Sequence, residues 1–260
     1  MALSARVAVI VAVLLTAGTI CWAQLNPSAT EQWRPVPPTV DPGPAVSPPP
    51  PSDAIVLFDG KDLAEWAAAD GSPAGWMVAN GVLTVKKGSG NIHTRRSFTD
   101  YQLHLEWCIP KGIHGSGQLR GNSGVFLGSI GSGDDGYELQ ILDSYQNETY
   151  VNGQAGAIYK QFSPLVNSSR PPGEWQSFDV IWTAPRFKSD GSPQSPAILT
   201  AFMNGVLIQD RAELKGQTTF IGTPRYSAHG PLPIKLQDHH DPSEPISFRN
   251  IWVRELRPQR

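Results

Sequence analysis

Short runs in which apolar and polar residues alternate, separated by turn signals, recur over residues 53–256. Alternation with a period of two is typical of a strand that buries one face. Asn80-Gly81 and Asn204-Gly205 lie between pairs of such runs, and Asn-Gly is a strong hairpin signal. Helical periodicity is scarce, since only residues 63–69 could form a short helical turn. The pattern predicts an all-β domain, built as a sandwich of two antiparallel sheets.

The composition agrees with this fold and excludes several classes of protein. The chain has 25 Gly and 24 Pro among 260 residues, and both residue types disfavour helix interiors. A net charge of −2 gives no basic field, so no nucleic-acid partner is expected. Two cysteines cannot build a disulfide scaffold. Cys108 lies in a strand pattern and is expected to be a small buried residue rather than a nucleophile.

The N-terminus has the organisation of a secretory signal peptide. Arg6 supplies a positive charge, residues 7–15 form an apolar run too short to span a bilayer, and small residues precede Gln24. These features predict a signal peptide over residues 1–23, and therefore an exported, periplasmic or extracellular protein with no membrane span in the mature chain. Two alternatives would tether it to a membrane, namely lipidation of Cys21 and retention of the apolar run as an anchor.

A proline-rich segment follows the predicted cleavage site. Nine of the 24 prolines lie between Pro35 and Pro51, without apolar periodicity. Such a composition favours extended polyproline II conformation and semi-rigid spacers. The sequence therefore predicts a disordered linker over residues 24–52 and one folded domain over residues 53–256.

Parity within the predicted strands places polar side chains on an outward face. Glu138 and Gln140 point away from the apolar side chains of their strand, and Gln237 and His239 do so in theirs. Such side chains hydrogen-bond and titrate, and planar amides suit sugar hydroxyls. The simpler alternative is the solvated face of an antiparallel sheet. Aromatic residues could also stack on a sugar ring, with core packing as the alternative; the candidates are Trp66, Tyr145, Tyr150 and Tyr159.

Other chemistry has weaker support. Glu138 and Asp143 are five residues apart, which puts them on opposite faces of a regular strand and argues against the carboxylate pair of a conventional glycosidase. The run Asp238-His239-His240-Asp241 could supply at most two metal ligands from a strand. The turn at residues 134–136 could bind a structural Ca²⁺ or simply be solvated. No cofactor is evidently required, and whether a metal is used stays open.

Seven segments together resemble the 3-keto-disaccharide hydrolase domain family, formerly a domain of unknown function. In chain order they are IVLFDGKDLAEW (55–66), RGNSGVF (120–126), YELQILDS (137–144), GAIY (156–159), PPGEWQSFDVIW (171–182), IKLQDH (234–239) and FRNIWVREL (248–256). The resemblance implies a concanavalin-like jelly-roll sandwich, export from the cytoplasm and a role in carbohydrate breakdown.

The resemblance further implies a hydrolase that cleaves glycosides oxidised at C3 of the sugar, such as 3-keto-disaccharides. A ketone at C3 acidifies the proton on C2, so a base can start an elimination at C1, and water addition completes the hydrolysis. Glu138 and His239 become the candidate proton-transfer residues and Asp143 an orienting carboxylate. Candidates for binding the substrate or stabilising the enolate are Arg120, Asn122, Gln140, Gln237 and Arg249, although parity places Arg249 with the expected core residues Ile251 and Val253.

Three other functions stay open at the level of the sequence. They are a non-catalytic carbohydrate-binding module of the same fold, a conventional glycoside hydrolase, and a structural wall-associated protein. An acid and a base around one cleft would favour an enzyme, and polar side chains splayed over a flat sheet would favour a binding module.

Overall fold

The computed structural model describes residues 26–256. The predicted signal peptide over residues 1–23, with Cys21, lies outside the described residues. Within residues 26–256, no helix has the length and apolar character needed to cross a bilayer.

The described part of the chain is built almost entirely from strands. In chain order they are β1 (Ile55–Phe58), β2 (Trp66–Ala68), β3 (Met77–Ala79), β4 (Val82–Thr84), β5 (Ile92–Phe98), β6 (Tyr101–Cys108), β7 (Ser123–Ile130), β8 (Asp135–Ile141), β9 (Trp175–Thr183), β10 (Arg186–Phe187), β11 (Pro193–Ser195), β12 (Ile198–Met203), β13 (Val206–Glu213), β14 (Leu232–Leu236) and β15 (Ser247–Glu255). Three short 3-10 turns accompany them, at Pro27–Thr30, Gly117–Leu119 and Val151–Gly153.

These strands form two packed sheets and one small ribbon. The larger sheet has eight strands in the order β13-β12-β9-β6-β15-β4-β3, with β1 also paired to β15. The smaller sheet has five strands in the order β2-β5-β14-β7-β8, and β10 pairs with β11. The strand pairs are antiparallel. The predicted all-β jelly-roll sandwich is thus confirmed.

The core lies between the two sheets and follows the predicted alternation. On β8, Tyr137, Leu139 and Ile141 are fully buried, and on β6 the alternate apolar residues from Tyr101 to Trp107 are too. The consequence for the site is direct: Glu138 and Gln140, which alternate with the β8 core residues, lie on the outer face of the five-stranded sheet.

Two smaller points of the sequence analysis can be checked here. Trp66 is buried on β2, where its indole N–H donates to the Leu57 carbonyl at 2.8 Å, so core packing rather than ligand stacking is its role. A short turn forms at residues 63–66, where the Trp66 N–H donates to the Leu63 carbonyl at 2.9 Å, and the chain continues as a strand. Cys108, at the end of β6, is half-buried rather than part of the core.

The proline-rich segment is not the free linker that its composition predicts. Asn167 pairs with it through two backbone hydrogen bonds of 2.9 Å, to Pro38 and Val40. Further along, Arg170 donates to the Gly43 carbonyl and Asn250 donates to the Pro48 carbonyl at 2.9 Å. Proline lacks an N–H but keeps its carbonyl acceptor, so the domain can satisfy an extended proline-rich backbone from outside. We call residues 26–52 the N-terminal strap.

Candidate active site

A cavity of about 330 Å³ opens on the outer face of the five-stranded sheet. Its lining residues are Asn122, Asp134, Glu138, Gln140, Tyr159, Thr218, Phe220, Gln237 and His239. Five of the eight residues predicted from the sequence therefore meet in one place, a cleft rather than a flat polar surface.

The order of the strands sets the width of this cavity. Glu138 lies on β8, and His239 follows the end of β14, while β7 runs between these two strands. Neighbouring strands are about 4.8 Å apart, so the two backbones are about 10 Å apart. Gly124 of β7 lies between them and carries no side chain to fill the gap.

Glu138 is a buried acid without a hydrogen-bonding partner for its carboxyl group among the described residues. Its backbone is held by Thr218, whose hydroxyl accepts from the Glu138 N–H at 3.0 Å. Its side chain packs on Gly124, where a Cβ atom would come within 2.6 Å of Oε1. Burial, with a contribution from Asp134 and against that of Lys235, raises the pKa of Glu138 to about 8. The carboxyl group is therefore largely protonated at neutral pH and can act as an acid.

His239 is oriented by a second carboxylate, Asp241. The Nδ1 atom of His239 lies 3.1 Å from Oδ2 of Asp241, and the backbone N–H of Ser243 donates to Oδ1 at 2.8 Å. Although burial opposes it, the hydrogen bonds from His239 and Ser243 hold the pKa of Asp241 at about 2. Nδ1 of His239 also accepts from the backbone N–H of Asp241 at 3.2 Å, so both contacts of the ring to Asp241 are made through Nδ1, and Nε2 bonds to no described residue.

The amide side chains of the cavity make some of their possible hydrogen bonds and leave two oxygen atoms without a donor. Gln140 donates to Oδ1 of Asn122 at 2.8 Å, and Asn122 donates to the Gln118 carbonyl at 2.8 Å. By contrast, the Oε1 atoms of Gln140 and Gln237 are buried and accept no hydrogen bond from the described residues. Buried acceptors are normally paired, so these two atoms, on residues that line the cavity, are candidates for contact with a ligand.

Tyr159 supplies a neutral donor next to these groups. Its backbone N–H donates to the Glu138 carbonyl at 3.2 Å, and its hydroxyl lies 2.7 Å from that of Tyr150. Burial raises the pKa of Tyr159 well above its usual value, so the phenol keeps its proton. Either hydroxyl of this pair can be the donor, and the hydroxyl that accepts keeps its own proton for another partner. Of the proposed stacking aromatics, Tyr159 alone lines the cavity.

Arg120 and Asp143 form an ion pair outside the cavity lining. Nε of Arg120 lies 2.7 Å from Oδ2 of Asp143. Burial raises the pKa of Asp143, and Arg120 opposes that shift. Oδ1 of Asp143 accepts from the Tyr145 N–H at 3.1 Å, and its carbonyl accepts from Asn147 at 2.6 Å. The pair therefore organises the chain after β8 and does not border the space available to a ligand.

Arg249 is not brought to the cavity at all. It lies on the other sheet, where its Nε donates to Oε2 of Glu106 at 2.6 Å and its guanidinium lies 4.1 Å from the centroid of the Trp175 ring. The prediction that Arg249 points with Ile251 toward the core is wrong, because Asn250, at φ +46°, forms an irregularity in the strand that reverses the parity.

A second polar cluster surrounds Arg249 beneath the N-terminal strap, beside a cavity of about 310 Å³. His104 is fully buried, with Nδ1 2.7 Å from Oδ1 of Asp179 and Nε2 3.5 Å from Oε1 of Glu106. Glu106 also accepts from Ser47 and, at 2.9 Å, from Asn250. Although burial opposes both shifts, these contacts raise the pKa of His104 to about 9 and lower that of Glu106 to about 2. We call this group the strap cluster.

The structure gives little support to a metal site. Residues 26–256 contain no group of three or more His, Cys, Asp or Glu side chains that could hold an ion. At the turn proposed for Ca²⁺, the ammonium group of Lys235 donates to the carbonyls of Gly133 and, at 3.2 Å, Asp135. Asn91 donates to Oδ1 of Asp134 at 2.8 Å. Ca²⁺ binding there stays a prediction, and an ion would compete with Lys235 for these carbonyls.

Four residues at or near the cavity had no predicted role as site residues. Thr218 and Phe220 line the cavity from the segment between β13 and β14, and the charge of Lys235 acts against the raised pKa of Glu138. Asp241 entered only as a metal-ligand candidate, although a carboxylate two residues from a histidine was a signal for an orienting contact. Thr218 and Phe220 carry no comparable local signal.

Comparison with known proteins agrees with the fold. The 3-keto-alpha-glucoside-1,2-lyase-like domain matches residues 53–254. A crystal structure of a "putative glycosyl hydrolase" from Parabacteroides distasonis ATCC 8503 is 52% identical, covers 87% of this chain and 94% of that chain, and superimposes with a TM-score of 0.78.

A second structure from that organism, with the same description, is 21% identical over 78% of this chain and 94% of that chain, with a TM-score of 0.56. It shows the shared fold alone. No curated protein matches the chain significantly. The fold is thus one of carbohydrate-related hydrolases or binding proteins, and the chain belongs to the 3-keto-alpha-glucoside-1,2-lyase-like domain family.

Proposed function

We propose that this protein is an exported hydrolase that cleaves 3-keto-glycosides, including 3-keto-disaccharides, by removal of the C2 proton, elimination at C1 and addition of water. The observation that carries the proposal is the arrangement around one cavity. A buried, unpaired acid, Glu138, faces the same space as a histidine held by a carboxylate, His239 with Asp241. The match to the 3-keto-alpha-glucoside-1,2-lyase-like domain supports the substrate class.

His239 is the base in this proposal. The C3 ketone makes the C2 proton acidic, so a neutral imidazole is strong enough to remove it. Nε2 takes the proton, and Asp241 stabilises the imidazolium that forms. The electrons of the C2–H bond form a C1–C2 double bond as the C1–O bond breaks. The enolate oxygen at C3 carries the negative charge in between.

Glu138 is the acid. Its raised pKa keeps a proton on the carboxyl group until the leaving oxygen departs from C1 and accepts it. The resulting carboxylate then takes a proton from water as that water adds to C1, and His239 returns its proton to C2. Both residues end in their starting protonation states, and the net reaction is hydrolysis.

In this proposal, uncharged side chains form the hydrogen bonds to the substrate oxygens. Because Arg120 and Arg249 do not line the cavity, the enolate oxygen is assigned to the Tyr159 hydroxyl and the Gln237 amide instead. The unpaired Oε1 atoms of Gln140 and Gln237 accept hydrogen bonds from the remaining sugar hydroxyls. Asp143 stays a positioning residue that acts through the loop after β8.

The decisive experiment offers the purified protein a 3-keto-disaccharide and its unoxidised parent. We expect release of the second sugar from the ketone alone, together with exchange of the C2 proton for solvent deuterium. His239→Ala should lower cleavage by at least about 100-fold, the contribution of a general base. Binding without cleavage would identify a carbohydrate-binding module, and cleavage of the parent would identify a conventional glycoside hydrolase. Either result overturns the proposal.

A further inference from the structure

We propose that Phe220 forms a leaving-group subsite at the mouth of the cavity, which takes a ring with a flat apolar face, such as a second sugar or an aromatic aglycone. This inference rests on the proposed function, since it assigns the group that leaves C1. It adds a selectivity that the proton-transfer residues do not determine.

Phe220 is unusual in combining exposure with a fixed position. Its side chain is 58% exposed, yet it lines a cavity whose other walls are mostly polar. One exposed apolar residue is common on protein surfaces and needs no functional reason. Ile221, the next residue, is 42% exposed but does not line the cavity, and so serves as a comparison within the same loop.

A buried ammonium group holds Phe220 in place. Nζ of Lys160 donates to the Phe220 carbonyl at 3.0 Å and lies 4.4 Å from the centroid of its ring. The same Nζ donates to the Pro27 carbonyl at 2.6 Å, and the Lys160 residue is 6% exposed. A cation under one face of the ring leaves the other face for a ligand. The loop between β13 and β14 is therefore held at Phe220 by these contacts with Lys160.

The subsite lies on the flank of the cavity that carries the acid. Thr218, two residues before Phe220, accepts a hydrogen bond from the Glu138 N–H at 3.0 Å and donates its own N–H to Gly136 at 2.7 Å. These contacts fix the Phe220 loop along β8, the strand of Glu138, whereas His239 approaches from β14. The group that receives the proton from Glu138 is the leaving group, so a platform on this flank meets the leaving group.

Apolar ring stacking gives the expected size of the effect. An offset-stacked or edge-to-face contact between two aromatic rings changes an equilibrium or rate by up to about 10-fold beyond simple burial. A methyl leaving group is too small to cover a phenyl face. The subsite should therefore change the preference among leaving groups, in addition to any general effect on cleavage.

The test compares three 3-keto-glucosides that carry methyl, phenyl or glucosyl leaving groups. For each, kcat/KM of Phe220→Ala is divided by that of the wild-type protein, which cancels the intrinsic reactivity of the leaving group. We expect the ratio to be about 10-fold lower for the ring-bearing substrates than for the methyl substrate. Phe220→Trp should restore the ratio, and Ile221→Ala should leave cleavage of each substrate unchanged.

An equal loss of kcat/KM on the methyl and the ring-bearing substrates would overturn the subsite. It would mean that Phe220 only maintains the structure of its loop. A loss confined to one of the two rings would identify which class of leaving group it accepts. If Phe220→Ala does not fold, Phe220→Leu carries the same test, because it keeps apolar volume but lacks a flat face. Failure of the proposed function looks different, since the wild-type protein would then cleave none of the three substrates.

Discussion

Glu138 and Glu106 are both buried acids on outer faces of the sandwich, one on each sheet, yet they titrate in opposite directions. Glu106 accepts hydrogen bonds from Ser47, Arg249 and Asn250, and its pKa is about 2. Glu138 has no such partner among residues 26–256, and its pKa is about 8. Burial is common to the two carboxyl groups, so the difference in their hydrogen bonds accounts for the opposite shifts in pKa.

The same contrast extends to the neighbouring groups. In the strap cluster, His104 lies between two carboxylates and stacks on Trp252 at 5.2 Å, so its polar atoms are used within the fold. In the cavity, the Oε1 atoms of Gln140 and Gln237 stay without donors. Unpaired buried atoms also occur beside the strap cluster, at Nε1 of Trp252 and Nε of Arg170, so the position of the two glutamine acceptors at the cavity is what makes them candidate ligand contacts.

The strongest test exchanges the two glutamates for glutamine. Glu138→Gln removes the acid and should lower cleavage of a 3-keto-disaccharide by at least about 100-fold. Because its carboxyl group has no protein partner, the free energy of unfolding should not fall. Glu106→Gln should leave cleavage intact but lower the free energy of unfolding by about 1.5–3 kcal/mol, since Arg249 loses its counter-charge while His104 keeps Asp179.

Steady-state kinetics gives the cleavage rate of each variant, and urea unfolding gives the free energy of unfolding of each. Loss of cleavage in Glu106→Gln without loss of stability would remove the distinction between the two clusters. So would a large loss of stability in Glu138→Gln.

The pH dependence of stability should separate the clusters as well. The native pKa of Glu138, about 8, exceeds its usual value of 4.5, so between these pH values the native state binds more protons and stability falls as pH rises. For Glu106 the shift is downward, to about 2, so its contribution is present above pH 4.5 and is lost as pH falls toward 2.

The free energy of unfolding should be measured from pH 3 to pH 9. Above pH 4.5 its slope against pH should be shallower in Glu138→Gln than in the wild-type protein, and below pH 4.5 it should be shallower in Glu106→Gln. His104 adds a loss in the upper range, because its pKa is raised from 6.5 to about 9, and that loss persists in Glu138→Gln. An unchanged upper slope in Glu138→Gln would contradict the raised pKa.

A smaller effect is expected at Gly124. A Cβ atom there would come 2.6 Å from Oε1 of Glu138, so Gly124→Ala should displace the carboxyl group. Misplacing a catalytic group by about 1 Å can cost up to about 100-fold, and we expect a loss in kcat of about 10-fold or more. The melting temperature should change little, because the displaced atom is the end of a flexible side chain. Gly230→Ala, where no atom lies within 4 Å of the added Cβ, is the matched control.

The smallest effect concerns the strap. Ser47→Ala removes the hydroxyl that donates to Glu106 and should lower the free energy of unfolding by about 1 kcal/mol, without a change in cleavage. Thermal and urea unfolding would measure it. A loss of cleavage in this variant would indicate that the strap cluster communicates with the cavity.

The sequence predicted what depends on local periodicity. Alternation placed Tyr137, Leu139 and Ile141 in the core, and therefore Glu138 and Gln140 outside it. The ordered motifs predicted the family and its jelly-roll sandwich. These successes share a cause, because strand parity holds as long as the strand is regular.

Predictions that depended on irregular or distant structure fared differently. A single residue with positive φ, Asn250, reversed the expected direction of Arg249. Phe220 reaches the cavity through a loop that Thr218 and Lys160 hold, and neither contact leaves a local signal in the sequence. The linker prediction over residues 24–52 followed composition, which does not count the carbonyl acceptors that the domain uses.

The N-terminal strap also decides where the folded unit begins. The family match starts at residue 53, but Pro27 already bonds to the lysine that holds Phe220, and Ser47 bonds to Glu106. A fragment trimmed to the family boundary would uncover both buried charged groups at once, Lys160 beside the cavity and Glu106 on the opposite sheet. Recombinant fragments intended to fold and bind ligand should therefore begin no later than residue 26.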